Sequence, residues 1–513
     1  MNGRVENELN QLFSIWDNKL CPGAQILIRQ HGKTIYENCF GYGNIEHKVK
    51  INKNSIFHVA SISKEFTVLA ILLLWKDGKL NLDDDIRTYI DEYIHIESAI
   101  TIRQMMNNVS GLRDQWELLF LRGITLNDKI TMEDINTTIR LQKKLNFEPQ
   151  SDYLYSNTGF HLLALIVEKI SKMSFSQFAQ ERIFKPLDMN HTHIRESFSE
   201  IVPNFVFSYQ DDGDGNYYYN PLSYALYGPT SVNTCASDLC KILDEYIQPN
   251  VIDPEIIEIM KSPAVLKNGK TIEYCGGLMT HKLHDLDVFG HGGADAAYRG
   301  QISCIPEKEL EIIILSNTTS RAMSKLADKA ACIVLGLSDC TEPAIPTHTN
   351  ISAQSGLYLT KSPDDPLLIE ITECNGKFFL KKEWCNTELI PFSDGGYQVG
   401  TLDEFLYFTE NGILYRMPNR IVHLVSARPA DPSIFEEGMY YNDETDSYLS
   451  IIKAEENCML HILRYGKATI YSNSDHDMIF GFDPNFTMYI KPVNNTLILD
   501  GYRIKNMIFK KQD

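Results

Sequence analysis

Apolar residues along this chain change their spacing twice, and the changes divide it. Leu9, Leu12, Phe13 and Trp16 recur at helical intervals among acidic and amide side chains, which predicts an amphipathic helix at the start. Residues 25–30 and 34–39 are short β-rich runs on either side of His31-Gly32-Lys33, a hairpin pattern. A mostly apolar helix follows over 61–75 and stops near Asp77-Gly78. A second is predicted over 159–172, with Leu162, Leu163, Ile166 and Ile170 on one stripe. From Leu278 strands return: 300–305, a turn at Pro306-Glu307-Lys308-Glu309, then 310–315. Strands at both ends with helices between predict one sheet fed by both termini of the domain, an α+β arrangement.

Near residue 340 the helical period fades. Glu342-Pro343-Ala344-Ile345-Pro346-Thr347 reads as a linker. Beyond it, short alternating strands and turn dipeptides dominate. Residues 405–410, Asn411-Gly412 and 413–417 spell a hairpin, and Asn375-Gly376 and Gly395-Gly396 mark further turns. The tail is also duplicated. Gly356-Leu357-Tyr358 recurs 82 residues later as Gly438-Met439-Tyr440, and Leu367 and Ile369 fall at the same offset on Leu449 and Ile451. Arg428-Pro429-Ala430-Asp431-Pro432 separates the copies. This pattern predicts two small antiparallel β-barrel domains, closed or nearly so. The expected division is 1–338, 350–426 and 433–513.

Composition narrows the function classes. The 513 residues suffice for about three domains at roughly 150 residues each. A formal net charge of −19 repels phosphate, so neither nucleic acid nor an anionic lipid surface is an expected partner. The longest apolar run, 68–75, falls far short of the roughly 20 residues that span a bilayer. The N-terminus lacks the basic start and apolar core of a signal peptide. A cytoplasmic location is expected, with unconventional export left open. Eleven cysteines, an odd number without repeated spacing or a CxxC pair, predict reduced thiols and no zinc site.

Candidate chemistry begins with Ser61-Ile62-Ser63-Lys64 at the head of the apolar helix. Three residues apart on a helix, Ser61 and Lys64 share a face within about 5–6 Å. A serine hydroxyl becomes a useful nucleophile when a neighbouring base takes its proton, and a neutral lysine can be that base. The helix start would also aim backbone N–H groups at a developing oxyanion. The bland alternative is a capping serine beside a solvated lysine.

Two further motifs follow in order: Tyr155-Ser156-Asn157 ahead of the second helix, and His291-Gly292-Gly293 beside a predicted strand. With all three the chain resembles the serine β-lactamase and penicillin-binding-protein superfamily. The likeness is to its class C β-lactamase, D,D-peptidase, esterase and D-aminopeptidase branch, which carries SxxK, then YxN, then KTG or HxG. Pro22-Gly23-Ala24, Thr101-Ile102-Arg103 with Ser110-Gly111-Leu112, and Ile183-Phe184-Lys185-Pro186-Leu187-Asp188-Met189 extend the likeness over about residues 15–338. One departure is Asn108-Val109, where the family often has His-Thr before Ser-Gly-Leu.

The resemblance implies a β-lactamase/transpeptidase-like catalytic domain, an antiparallel sheet flanked by helices with a mostly helical subdomain, that needs no cofactor. It implies Ser61 as the acylated nucleophile, Lys64 as its proton partner, Tyr155 as a second general acid/base, and Asn157 as a group that orients Lys64 and bonds the substrate amide. The N–H groups of Ser61 and Ala294 would form the oxyanion hole, with Gly292 and Gly293 allowing close backbone approach. His291, mostly neutral near pH 7 where relatives carry lysine, would attract a substrate carboxylate less. The tail is similar to the bacterial D-aminopeptidase arrangement, in which a loop of the last barrel reaches the active site. Asp475 or Asp477 would then meet a substrate ammonium, the alternative being a solvated acidic turn. His281, His284 and Asp285 are not expected to join His291 around a metal.

The leading reading is a serine hydrolase acting through an acyl-enzyme on a small peptide, amide or ester, of D-aminopeptidase or D-amino-acid amidase type. The alternatives are an esterase or weak β-lactamase, and a non-catalytic penicillin-binding-like interaction protein. A homodimer is left open.

Overall fold

The computed structural model of the chain describes residues 3–17, 20–319, 323–338, 352–362, 364–381, 386–392, 395–400, 402, 404–417, 420–474, 477–483 and 486–512. Two compact units emerge. One comprises Met1–Gly111, Phe147–Asp211 and Tyr217–Glu342, the other Leu112–Asn146, Asp212–Asn216 and Pro343–Asp513. The expected linker at 342–347 lies outside the described residues.

The first unit is built on a six-stranded antiparallel sheet in the order Met279–Leu283, Leu286–Asp295, Tyr298–Ile305, Leu310–Ser316, Ala24–Gln30, Lys33–Phe40. N- and C-terminal strands meet where Ile26 faces Ile314 and Ile28 faces Ile312. Leu310–Ser316 is buried along its whole length, and its Leu310 and Ile312–Leu315 are apolar without alternation, while the buried Glu311 pairs with Arg29. Helices Gly3–Phe13 and Met323–Leu335 set Leu9, Phe13, Ala327 and Ala330 into the same core as Ile26, Ile28 and Ile312. Helix Ser63–Lys76, apolar around its circumference, is buried on nearly every side and packs against helix Asn157–Ser171. No helix among the described residues is long and apolar enough to cross a membrane, and no disulfide joins the described cysteines.

The second unit holds a closed eight-stranded antiparallel barrel running from Gly356–Thr360 to Arg420–Ser426, then a ten-stranded antiparallel sheet running from Arg428–Pro429 to Met507–Lys511. The Asn411-Gly412 hairpin is present, with Thr409 opposite Gly412. The duplication has a physical counterpart. Tyr358 donates its hydroxyl to the Gln354 carbonyl (3.3 Å), and Tyr440 makes the same bond to Glu436 (2.9 Å). Strand register corrects the sequence alignment by two residues. Tyr358 faces Ile369 whereas Tyr440 faces Leu449, so Ile369 matches Leu449 and Ile371 matches Ile451. The first copy has a longer connection between these strands. Because side chains alternate with period two, a shift of two leaves the apolar pattern on the same face, which is why a constant offset looked right.

The sequence pattern did not show that the segment Leu112–Asn146 leaves the first unit. Its helix Gln115–Leu121 places Leu118, Phe120 and Leu121 in one core with Tyr440, Leu449, Ile451, Phe486 and Phe509. Arg113, fully buried, pairs with Glu444 at 2.8 Å and donates to the Lys505 carbonyl at 3.1 Å. Leu118→Ala is therefore expected to destabilise the unit that carries the C-terminal strands, by about 2–5 kcal/mol. Urea unfolding of the full-length variant measures this, and an unchanged midpoint would remove Leu118 from that core.

Candidate active site

Ser61 sits on a single 3-10 turn, Ala60–Ile62, and the α-helix proper begins at Ser63. The preceding residue, Ala60, is buried at φ +47°, a conformation that costs a non-glycine residue roughly 1–3 kcal/mol and persists only where the surroundings enforce it. One enforcing neighbour is the strand Leu286–Asp295. A Cβ on Gly293 would lie 2.2 Å from the Val59 carbonyl oxygen, so only glycine lets this strand run against the segment that presents Ser61. The adjacent strand Met279–Leu283 reaches only as far as Gly290, which leaves the edge beyond His291 turned to that segment.

Lys64 occupies the first turn of the helix and is fully buried, which rules out the solvated lysine considered as an alternative. Its Nζ lies 3.0 Å from Ser61 Oγ, 2.9 Å from Asn157 Oδ1 and 3.0 Å from the Pro229 carbonyl oxygen. Both carbonyls can only accept, whereas the Ser61 hydroxyl can accept or donate. An ammonium fills all three places with N–H donors. A neutral amine can give two N–H groups to the carbonyls and turn its lone pair to Ser61, so these three partners can serve either protonation state. The arrangement can pass a proton between oxygen and nitrogen.

Aromatic rings line the same nitrogen: Nζ stands 4.7 Å from the Tyr155 ring centre and 5.3 Å from that of Phe160. Asn108, the departure from the family pattern, fixes Tyr155 from both sides. At φ +56° its carbonyl accepts the Leu154 N–H (3.1 Å), and its side-chain oxygen accepts the Ser156 N–H (3.0 Å). Asn157 opens the following helix and is buried.

His291 completes the group, with its ring centre 6.1 Å from that of Tyr155. Nδ1 is 2.6 Å from the Gly292 carbonyl oxygen, which can only accept, so Nδ1 carries the proton and Nε2 receives the Tyr274 hydroxyl at 3.4 Å. Burial, reinforced by the Lys64 charge, pushes the imidazole down to about 3. Gly292 and Ala294 face Gln301 and Arg299 of the next strand, and Ala294 is exposed.

The structure thus brings together Ser61, Lys64, Tyr155, Asn157 and His291, with Gly293 against the segment that presents Ser61. Asp475 lies outside the described residues. Asp477 belongs to the second unit, where its carboxylate accepts the Asn473 amide at 3.0 Å and closes a short turn. His281 bonds Asp328 and His284 bonds the Ser338 carbonyl. Two participants escaped the sequence reading. Tyr274, buried, sets its ring 6.0 Å from Tyr155 and 5.9 Å from His291, and burial followed by the two neighbouring tyrosines, Tyr155 and Tyr153, holds its phenol well above the usual range. Pro229 contributes only a backbone carbonyl, which any residue would carry.

The Beta-lactamase family model matches residues 11–334. Penicillin-binding protein 4* of Bacillus subtilis (strain 168) is 28% identical over 330 residues, which covers 62% of this chain and 73% of that protein. The octameric penicillin-binding protein homologue from Pyrococcus abyssi shares the fold with a TM-score of 0.59 at 20% identity, over 95% of this chain and 100% of that one. The D-amino acid amidase from Ochrobactrum anthropi SV3, complexed with L-phenylalanine amide, gives 0.54 at 20% identity, over 65% of this chain and 99% of that one.

A histidine held neutral in the fold but protonated when unfolded makes stability depend on pH. His291 stability is fully present above about 6.5 and is lost as pH falls toward about 3, because only the unfolded chain takes up the proton. His291→Gln is expected to flatten the fall in unfolding free energy between those limits by an amount on the order of a few kcal/mol. Urea unfolding at a series of pH values measures it, and identical slopes in both proteins would contradict a neutral His291.

Proposed function

The chain belongs to the beta-lactamase family, and we propose that it is a serine hydrolase working through an acyl-enzyme on small amides, of the D-aminopeptidase or D-amino-acid amidase kind. The observation that carries this reading is the 3.0 Å approach of Lys64 Nζ to Ser61 Oγ, with the Asn157 and Pro229 carbonyls placed to hold the same nitrogen whether it carries the extra proton or has given it up.

In the proposed cycle Ser61 Oγ attacks the substrate carbonyl carbon while its proton passes to Lys64 Nζ. The carbonyl oxygen becomes an oxyanion facing the N–H groups of Ser61 and Ala294. The C–N bond then breaks, and the amine departs with a proton delivered by the Lys64/Tyr155 pair. Water attacks the acyl ester and gives up a proton to the same pair. The C–O bond to Ser61 breaks, the acid leaves, and the Ser61 hydroxyl is restored. Asn157 keeps Lys64 in line throughout.

His291 bears on the substrate class. A neutral imidazole with its N–H committed to Gly292 offers little to a carboxylate, which favours amides over acids. Likeness in fold to a D-amino acid amidase supports the same class and suggests the D configuration.

A serine-directed phosphonate is expected to label the wild-type protein, and Ser61→Ala to abolish labelling; undiminished labelling of the variant would remove Ser61 as nucleophile. Tyr155→Phe and Lys64→Met are each expected to lower kcat on D-alanine p-nitroanilide by about 10²–10⁴, and kcat/KM to favour the D over the L anilide. Equal turnover of both would remove the D preference, and turnover of esters alone would replace the amidase reading with an esterase.

A further inference from the structure

A second polar cluster, largely buried, is formed by residues that take no part in the cycle above. Asp295 follows Ala294 at the end of the strand Leu286–Asp295 and points to the same face as His291 and Gly293, since side chains two apart share a face. Its Oδ2 lies 3.0 Å from His58 Nε2 and 3.0 Å from Thr230 Oγ1, and those two atoms are themselves 3.0 Å apart. Its Oδ1 accepts the Tyr224 hydroxyl. His58, Tyr224 and Thr230 are all buried. Burial pushes the Asp295 carboxyl up, but bonds from His58, Tyr224 and Thr230 more than offset this and hold it below the usual carboxylate range. The cluster therefore contains a fixed anion.

The partners are telling for where they lie in the chain. His58 is three residues before Ser61, Thr230 directly follows Pro229, and Asp295 directly follows Ala294. One carboxylate thus ties together the segment that presents the nucleophile, the loop whose carbonyl holds Lys64, and the strand whose edge faces both. The Gly293 contact on Val59 sets how closely two of these approach, but as a steric stop it only limits distance from below. The Asp295 bonds supply the opposing pull, and they are directional.

We propose that Asp295 is a positioning residue, whose grip on His58, Thr230 and Tyr224 sets the spacing between the Ser61 N–H and the Ala294 N–H and fixes the Pro229 carbonyl beneath Lys64. The proposal rests on the serine hydrolase reading. Asparagine in its place keeps the shape and one oxygen but loses the charge and an acceptor. The defect then falls on groups that act in the transition state, so it enters kcat and not KM.

The experiment uses the full-length chain and follows two rates, phosphonylation of Ser61 and turnover of D-alanine p-nitroanilide, with thermal melting as a check on folding. Asp295→Asn is expected to slow phosphonylation and to lower kcat about 10- to 100-fold per labelled site, with KM within about twofold. Thr230→Val, which removes one donor and leaves the carboxylate, is expected to do the same more weakly and carries the test if Asp295→Asn does not fold. The double variant is expected to lose less than the product of the single losses, because both act on one cluster. Unchanged rates per labelled site in a folded variant, or a change confined to KM, would overturn the proposal and leave the serine hydrolase reading standing. A wild-type chain that fails to label would overturn both.

Discussion

Hydrogen bonds from one buried nitrogen, that of Lys64, hold the candidate site together. Taking an amine out of water is costly unless acceptors replace the water, and Lys64 is fully buried. Its acceptors come from Ser61, Asn157 and Pro229, and the last two lie 93 and 165 residues beyond Lys64. The fold must therefore bring the start of one helix, the start of another and a distant loop to within about 3 Å of a single atom. Much of the first unit follows from this. Helix Ser63–Lys76 is mostly apolar because it runs through the interior where that atom is held, and helix Asn157–Ser171 packs on it and brings Asn157 to Lys64.

The strand Leu286–Asp295 closes the arrangement from the remaining direction, and it does so by contact and by bond. Gly293 lets the backbones approach, Ala60 absorbs the distortion at φ +47°, and the Asp295 carboxylate draws in His58 and Thr230. A strained residue next to the candidate nucleophile survives only if its neighbours over-determine it. Here both the steric stop and the polar cluster lie within three residues of Ser61, so strain and support are matched locally rather than spread through the sheet.

What could be read in the sequence follows from the same physics. The Ser61/Lys64 spacing, the two apolar helices and the hairpins are local: each is specified by residues a few positions apart, and each is found in place. Tyr155 and His291 were recognisable because they stand in short motifs of fixed order. The contributors that escaped notice act from a distance or without a side chain. Pro229 gives a carbonyl, Tyr274 enters through a turn with no periodic signal, and His58, Thr230, Tyr224 and Asp295 come into contact only after three segments have folded. The helix Gln115–Leu121 was hidden for a related reason. Its apolar residues announce that they are buried but not against what, and their partners lie more than 300 positions further on, as the Arg113–Glu444 pair does. In the tail, the two-residue slip between repeats went unseen because period-two alternation makes it silent.

Charge links the site to the substrate proposed for it. The chain carries a formal net charge of −19, a field that repels anions at long range and draws in cations. Among relatives of this fold a lysine in the third motif would give an incoming carboxylate a local reason to overcome such repulsion. Here that position holds His291, pushed down to about 3 and therefore neutral at physiological pH. Neither the long-range field nor this local group then rewards an acid. An amino-acid amide has the opposite character: its free amine is protonated and its carboxyl is masked, so the same field that turns away a carboxylate raises its concentration near the protein. The neutral histidine and the net negative charge thus both favour the substrate class proposed, an ammonium-bearing amide with no acid group.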